Sequence, residues 1–400
     1  MKVLIAPQAY KGSLDALEVA QAIATGIRSI WPDLELDILP VADGGEGTVE
    51  ALVTATQGTY VESRVEDPLG RPVTARWGLL GDGRTAVIEM AAASGLPLLD
   101  RSERNPLVTS TFGTGQLIKA ALDRGAERLI VGIGGSATND GGAGMAHALG
   151  VRFLDAQGKY LPRGGRPLQR LHRIDASRLD PRLHGVEVVV ASDVTNVLCG
   201  PEGASHVYGA QKGATPRAAA LLDRALENYA AVIERDLGLA VRDIPGAGAA
   251  GGLGAGLIAF TGARMTRGVD LIFKAMRFDE HLDGVHLVLT GEGRIDGQDV
   301  FGKAPIVVAE RASTRGIPVI VIVGNIGTGH EACYDHGVSA VMSIMSRPMT
   351  IDRALTQTAQ LITEAAVRTA RLIDVGALLS KSDLSSESGG STPHVGSRLG

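Results

Sequence analysis

The stretch from residue 129 to 150 (LIVGIGGSATNDGGAGMAHALG) constrains the fold more than any other part of the chain. An apolar run, Leu129–Val131, leads into a turn of glycines, hydroxyls, an amide and the Asp140 carboxylate, and small apolar residues then continue to Gly150. This order predicts a buried strand, a tight polar turn and a helix. Because the start of a helix offers free N–H groups and a partial positive charge, the turn predicts a phosphate site, and Asp140 indicates a cation beside it.

Three other apolar strands end in loops that contain acidic residues: Asp43–Thr48, Asp193–Asn196 and Gly291–Asp296. A single aspartate of this kind is often only a helix cap or a turn former. Three such loops in one chain favour a functional site, because the carboxyl ends of strands line the ligand crevice in open α/β sheets. Phosphoryl transfer needs carboxylates for Mg²⁺, N–H groups around phosphate, and a carboxylate that orients or deprotonates the attacking hydroxyl. These loops contain the groups for all three tasks.

The composition excludes several classes of function. Aromatic residues make up only 4% of the 400 residues and the net charge is −5, so nucleic acid is not expected as a partner. The 53 glycines exceed the usual share of about 7% and cluster in loops, which points to close contact between backbone and ligand. The cysteines and histidines follow no metal-ligand spacing. With neither a signal peptide nor a run of roughly 18–20 apolar residues, we expect a cytoplasmic protein without membrane contact.

The two ends of the chain share an alternation of strands and helices, whereas residues 60–90 contain strand-like pieces joined by Pro/Gly turns. We therefore predict an α/β fold of two domains. Residues 1–60 and 284–376 form a discontinuous, Rossmann-like domain with a parallel sheet, and residues 61–283 form an inserted mixed α/β domain. The active site lies in the cleft between them. The Ser/Gly-rich residues 377–400 are predicted to be a disordered tail.

Two nucleotide-binding patterns are incomplete. Gly297–Ala304 nearly matches a P-loop, but Ala304 lacks the hydroxyl that would bind the metal. Gly132–Ala137 fits G-x-G-x-x-A, with Asp155 after the next apolar piece, as in dinucleotide-binding proteins. Asp140 argues against that interpretation, since a pyrophosphate docked there would meet a carboxylate without a metal. An NAD(P)-dependent dehydrogenase remains a disfavoured alternative.

Several long segments together resemble one family. They are Val41–Thr48 (VADGGEGT), Glu89–Gly95 (EMAAASG), Asn105–Gly115 (NPLVTSTFGTG), Gly132–Gly144 (GIGGSATNDGGAG), Ser192–Gly200 (SDVTNVLCG), Gly246–Gly256 and Gly291–Pro305 (GEGRIDGQDVFGKAP). In these segments the chain resembles the bacterial glycerate kinases of the class that forms 2-phosphoglycerate (type 1), over nearly its whole length to about Arg371. The resemblance implies ATP-dependent phosphorylation of D-glycerate with Mg²⁺, in a cleft between two α/β domains.

The chain departs from the family pattern at three places. The family usually has Asp-Ser-Phe-Lys where this chain has Gln8-Ala9-Tyr10-Lys11, a Pro where Val197 stands, and commonly a Thr where Asp299 stands. The first departure removes a carboxylate and a hydroxyl from a loop expected to face the cleft. It leaves open a second alternative, a non-catalytic sensor of the same fold that binds a phosphorylated metabolite.

The resemblance and the chemistry of the residues together suggest roles for individual side chains. Asp193 is the expected base, and Lys11 and Arg294 are expected to hold the glycerate carboxylate or the transferred phosphoryl group. The residues predicted to bind ATP are Gly134, Gly135, Ser136, Thr138, Asn139, Gly141, Gly142 and Lys303. Those predicted to bind D-glycerate are Lys11, Ser94, Asn196 and Arg294, and those predicted to bind Mg²⁺ or its waters are Asp43, Glu292 and Asp296. The protein is expected to be a monomer or a homodimer.

Overall fold

The computed structural model describes residues 1–297 and 302–387. Its strands are β1 (Lys2–Ile5), β2 (Glu35–Ile38), β3 (Thr59–Glu66), β4 (Pro72–Leu79), β5 (Thr85–Glu89), β6 (Arg128–Gly132), β7 (Arg152–Leu154), β8 (Arg173–Asp175), β9 (Glu187–Ala191), β10 (Arg264–Thr266), β11 (Leu287–Ile295), β12 (Val319–Ile326) and β13 (Ala340–Ser343). Its α-helices are α1 (Ala16–Ile30), α2 (Thr48–Ala55), α3 (Ala91–Ser94), α4 (Phe112–Asp123), α5 (Ala143–Ala148), α6 (Ala204–Tyr208), α7 (Pro216–Leu237), α8 (Ala249–Thr261), α9 (Gly268–Ala275), α10 (Phe278–His281), α11 (Ala304–Ser313), α12 (Ile351–Thr356) and α13 (Thr358–Glu387).

The first sheet is parallel and takes its strands from both ends of the chain, in the order β13-β12-β11-β1-β2. β1 lies inside this sheet: Val3 pairs with Leu287 on one side and with Leu36 on the other. The strand is short and wholly apolar after Lys2, as expected for a strand with both faces covered. The prediction that the two ends of the chain form one parallel sheet is therefore confirmed.

The second sheet is mixed and has the order β10-β9-β6-β5-β4-β3. β3, β4 and β5 pair antiparallel, whereas β5, β6, β9 and β10 pair parallel. The turn at 67–70 that joins β3 to β4 is held by Asp67, whose carboxylate accepts hydrogen bonds from the backbone of Leu69 and Arg71. The Pro/Gly turns thus correctly predicted antiparallel strands here, and the apolar runs correctly predicted buried parallel ones.

The two sheets share a buried core. One apolar cluster joins Leu4 of β1 to Val189 of β9, through Val269 and Phe273 of α9. Phe273 stacks on Phe278 with ring centroids 4.5 Å apart. The loops at the carboxyl ends of both sheets are therefore held in a defined relation. The domain boundaries at 60/61 and 283/284 stay a prediction.

Three local patterns in the sequence predict the wrong structure. Ser13 precedes the apolar positions of α1 and is a residue type that often caps helices, but the cap is Asp15, which forms a reciprocal capping box with Glu18. The glycine-rich residues 245–256 predict a hairpin before a helix, but α8 already begins at Ala249 and has a kink of left-handed residues at Ala250, Gly251 and Gly252.

The third correction concerns the predicted tail. α13 continues from Thr358 to Glu387, past residue 376 where the tail was expected to begin. The reason is that residues 377–387 contain neither Gly nor Pro, so nothing in them ends a helix.

Among the residues that the structure describes, no helix is both long and apolar enough to cross a membrane.

Candidate active site

Loops from both sheets meet at the carboxyl ends of their strands. The Asp43 loop lies against the end of β9, where a Cβ on Gly44 would come within 3.0 Å of the Ala191 Cβ. It also lies against the glycine turn after β6, where a Cβ on Gly134 would come within 3.0 Å of the Gly45 Cα. Glycine at 44 is required for a second reason, because its φ is +96°. Three of the loops singled out in the sequence thus lie together.

Asp193 stands where these loops meet. Its Oδ1 accepts a hydrogen bond of 3.1 Å from the backbone N–H of Gly268 at the start of α9. Although the carboxylate is open to the cleft on one side, burial by the neighbouring loops raises its pKa to about 6, and the negative charge of Asp43 adds to the shift. A carboxylate with this pKa is mostly ionised at neutral pH and is a stronger base than an ordinary aspartate.

A pocket of ≈290 Å³ adjoins Asp43. It is lined by Gln8, Ala9, Lys11, Asp43, Glu292, Gly293, Arg294 and Lys303. The structure thus brings together five of the predicted site residues from three separate segments of the chain. The lining combines three cationic side chains with two carboxylates, a set that suits a polyphosphate accompanied by a divalent cation.

Ion pairs arrange the charged groups of this pocket. The Lys303 ammonium lies 3.2 Å from Glu292 Oε2, and the Arg294 guanidinium lies 3.1 Å from Asp296 Oδ2. Both cationic side chains are well exposed, so an anion can approach them, whereas the Glu292 carboxylate is largely buried. Asp296 therefore pairs with Arg294, and it is not among the residues that line the pocket.

The departure at Gln8–Tyr10 is well accommodated. The Gln8 amide is buried, and its Nε2 donates a hydrogen bond of 2.8 Å to Asp43 Oδ2. Tyr10 fills the core beneath the first sheet, and its hydroxyl donates to the Ile322 carbonyl at 2.7 Å. Gln8 therefore orients the Asp43 carboxylate, at a place where a second carboxylate would repel it.

The described part of the chain contains no preformed metal site of three or more ligands. In residues 1–297 and 302–387, no three His, Cys, Asp or Glu side chains converge closely enough to hold an ion. Mg²⁺ commonly uses only one or two protein carboxylates and completes its shell with water and substrate phosphates. Asp43 and Glu292, which line one pocket, fit that description, and the pairing of Asp296 with Arg294 makes Asp296 the weaker candidate.

The second half of the glycine turn faces the interior. Thr138, Asn139 and Asp140 are completely buried. The Asp140 carboxylate accepts from the backbone N–H and hydroxyl of Thr111 and from the N–H groups of Gly142 and Gly144, at 2.8 to 3.2 Å. The expectation that Asp140 lies beside a bound cation is therefore wrong, because backbone and hydroxyl donors occupy both of its oxygens.

A buried lysine supports the same turn from behind. Lys212 donates from Nζ to the Thr138 carbonyl at 2.7 Å. Burial lowers the pKa of Lys212 to about 7, and the charge of Asp140 opposes that shift. Burial raises the pKa of Asp140, and the hydrogen bonds it accepts oppose the rise. The two groups hold the buried second half of the turn in shape.

Other predicted contacts also lie inside the protein. A Cβ on Gly141 would meet the ring of Tyr229, and one on Gly142 would meet α8. Asn139 donates from its amide to Ser205 Oγ at 2.9 Å. Ser94 is fully buried and accepts from the Thr114 hydroxyl at 2.8 Å. These positions therefore pack inside the protein, behind the exposed part of the turn.

Asn196 and the first half of the turn lie closer to solvent. Asn196 donates to the Glu202 carbonyl and accepts from the Tyr208 hydroxyl, both at 2.7 Å. Gly134 and Gly135 are exposed, and with Ser136, Val194 and Lys212 they line a pocket of ≈160 Å³. The part of the turn that faces a pocket is therefore 134–136, and Val194, the neighbour of Asp193 in the chain, lines the same pocket.

Comparison with known proteins identifies the family. Residues 3–374 match the model of the glycerate kinase family. The chain belongs to the glycerate kinase family. It is 52% identical over 364 residues to a glycerate kinase from Halalkalibacterium halodurans, which covers 91% of this chain and 96% of that protein. It is 51% identical over 354 residues to glycerate 2-kinase from Escherichia coli strain K12, covering 88% of this chain and 93% of that protein.

A solved structure agrees with this assignment. A crystal structure from Salmonella typhimurium LT2, described as a glycerate kinase 2, superposes with a TM-score of 0.84 at 50% identity, covering 94% of this chain and 99% of that one. The similarity extends over both sheets, so the mixed α/β architecture is that of the glycerate kinase family. The recognition from sequence segments is confirmed.

The sequence patterns did not single out one buried carboxylate, that of Glu89. Glu89 ends β5, and its Oε1 accepts from the backbone N–H of Val49 at 2.8 Å, at the start of α2. Burial raises its pKa to about 7. With Asp15, Glu46, Glu50 and Arg76 it lines a third pocket, of ≈530 Å³. The signal was available, because Glu89 ends an apolar strand, and Asp43 and Asp193 also stand near the carboxyl ends of strands.

Proposed function

We propose that this chain transfers the γ-phosphoryl group of ATP to D-glycerate in the cytoplasm, with 2-phosphoglycerate as the product. Membership of the family and the name of the Escherichia coli relative support the substrate. The observation that carries the chemistry is the arrangement at the cleft: a carboxylate of raised pKa, Asp193, stands near a pocket with three cationic side chains. Phosphoryl transfer needs a base and charge neutralisation in this relation.

In the proposed reaction the Asp193 carboxylate accepts the proton of the attacking glycerate hydroxyl. The hydroxyl oxygen forms the new bond to the γ-phosphorus, and the bond from that phosphorus to the β,γ-bridging oxygen breaks, releasing ADP. Lys11, Arg294 and Lys303 neutralise the charge on the phosphoryl oxygens and the glycerate carboxylate. Asp43 and Glu292 are the proposed holders of Mg²⁺, which supplies further charge neutralisation when bound.

The remaining predicted residues take supporting places in this proposal. Gly134, Gly135 and Ser136 present the exposed part of the turn to a phosphate or carboxylate oxygen. The buried residues Thr138, Asn139, Gly141, Gly142 and Ser94 hold that part of the turn in position. Asn196 orients the loop that carries Asp193, and Asp296 orients Arg294. The two proposed domains are residues 1–60 with 284–376, and residues 61–283. The protein is proposed to be a monomer or a homodimer.

A coupled assay of ADP release with D-glycerate and Mg²⁺ tests the function. We expect ADP release that depends on glycerate, and a product whose phosphorus resonance is split into a doublet by a single proton, as in a phosphate ester of the 2-hydroxyl. A triplet would place the phosphate on the 3-hydroxyl instead. Calorimetric binding of glycerate or ATP without turnover would favour the non-catalytic sensor.

The pH dependence of kcat/KM gives a separate prediction. A base must be deprotonated to act, and the Asp193 pKa is raised to about 6, so activity should be lost as pH falls through 6 and level off above about 7. Asp43→Asn removes one cause of the raised pKa and should move this acid limb to lower pH, whatever it does to the rate. The coupling enzymes must be in excess at each pH. A profile flat from pH 5 to 8 contradicts the role of Asp193.

A further inference from the structure

A fourth pocket, of ≈490 Å³, lies at the carboxyl ends of β12 and β13. It is lined by Tyr10, Lys11, Ser13, Gly293, Gly324, Asn325, Ile344, Met345, Met349, Ile351, Ala354, Leu355 and Thr358. Part of its wall is α12, and the Ser13 hydroxyl joins that wall to the Lys11 loop by donating to the Leu355 carbonyl at 3.0 Å. The carboxyl edge of a parallel sheet is where open α/β proteins bind nucleotides.

The lining of this pocket suits a flat apolar ring. Two methionines and several branched aliphatic side chains dominate it, and Lys11 is the charged residue among the described residues that line it. Asn325, which is exposed, offers an amide to the polar edge of such a ring. The larger pocket beside α2 does not suit a nucleotide, because the carboxylates of Asp15, Glu46, Glu50 and Glu89 line it and would repel a polyphosphate.

We propose that this pocket binds the adenine nucleoside part of ATP, an inference that rests on the proposed function. The pocket adjoins the cationic one, because Lys11 and Gly293 line both. Gly293 has no side chain to separate them. A nucleotide whose base lies beside Met345 therefore extends its phosphates towards Lys11, Arg294 and Lys303.

The rim of the pocket supports the same occupant. Ile351 and Leu355 of α12 are large apolar side chains with 77% and 43% of their surface exposed. Apolar groups gathered at the mouth of a pocket mark a ligand or partner site more often than isolated ones do. The Gly134–Ser136 segment lines a separate pocket with Val194. With the adenine in the pocket beside α12, this segment faces the glycerate instead of ATP.

Ile351→Asp tests this placement by kinetics. The change removes an apolar contact and puts a negative charge near the nucleotide, so we expect the KM for ATP to rise at least tenfold. The KM for D-glycerate and the kcat at saturating ATP should stay within twofold of the wild type. Leu372→Asp is the matched control, because Leu372 is 61% exposed on α13 and lines none of these pockets, and all its constants should be unchanged.

Methyl NMR supplies a readout that does not depend on activity. In protein labelled with ¹³C at the methionine methyls, ADP and adenosine should shift the resonances of Met345 and Met349, assigned through Met→Leu variants. Tripolyphosphate should leave them nearly in place, and the buried Met145 should not respond to any of the three.

The two experiments separate the possible failures. The adenine site alone is overturned if the wild type is active but ADP does not shift its Met345 and Met349 resonances. The same holds if Ile351→Asp leaves the KM for ATP unchanged. A wild type that shows no glycerate-dependent ADP release overturns both the proposed function and the adenine site.

Discussion

Replacing Asp193 by asparagine should lower kcat by about 10²- to 10⁴-fold, the usual contribution of a positioned general base. The amide keeps the shape of the side chain and can still accept the hydrogen bond from Gly268, but it cannot take a proton from the glycerate hydroxyl. The KM values for ATP and D-glycerate should change much less than kcat. Steady-state kinetics with the coupled assay, together with a thermal unfolding curve that matches the wild type, measures the effect.

Asp270→Asn is the control for this prediction. Asp270 lies close enough to contribute to the electrostatics of Asp193, but it is about half exposed and pairs with Arg267 and Arg311 at the surface. We expect its kcat to stay within twofold of the wild type. If Asp193→Asn and Asp270→Asn lose activity equally, the effect is one of charge in the cleft, and if neither loses activity, another group is the base.

Asp140→Asn should lower the free energy of unfolding by about 3–5 kcal/mol, the size expected when one partner of a buried charged network is removed. Thr111, Gly142 and Gly144 all donate to the two carboxylate oxygens, and an amide offers only one oxygen to them. The buried Lys212 also loses its nearby negative charge. Urea unfolding followed by circular dichroism, with a check that the m-value is unchanged, measures the loss.

Asp155→Asn provides the comparison for this stability change. Asp155 also accepts two backbone N–H bonds, from Gln157 and Lys159, but it does so in a surface turn. Asparagine also accepts such hydrogen bonds in turns, so the cost in unfolding free energy should be below about 1 kcal/mol.

A second comparison combines Lys212→Met with Asp140→Asn. The double variant should lose less unfolding free energy than the sum of the two single variants, since the unpaired buried charge is then absent. Strict additivity would mean that the two groups do not interact.

Most of the architecture follows from local patterns in the sequence. Parallel strands such as β6 and β9 are nearly continuous apolar runs, and the antiparallel β3 and β4 alternate around Pro/Gly turns. The carboxyl ends of β2 and β11 share one edge of the first sheet, so Asp43 and Glu292 could be expected near one another, and both line one pocket. Glu292 lies in the second half of β11 itself, where the sequence predicted a loop. Asp193 follows β9 of the second sheet, so its position close to Asp43 depends on how the two sheets pack.

The direction in which a loop residue points could not be predicted in the same way. Thr138, Asn139 and Asp140 have the composition of a phosphate-binding turn, but polar residues of these types look the same whether they face a ligand or the interior. The choice is made by partners distant in the sequence, above all Thr111 and Lys212. Asp299, one of the departures from the family pattern, lies outside the described residues.

The position of β1 inside the first sheet has a consequence for synthesis of the chain. β2 follows β1 closely, but the other neighbour, β11, begins only at Leu287. At about 5–20 residues per second, a ribosome needs roughly 15 to 60 s to cover that distance. During this interval the backbone of Val3, Leu4 and Ile5 has an open edge that can pair with other chains. The amino-terminal strand thus reaches its final place only after more than two thirds of the protein has been translated.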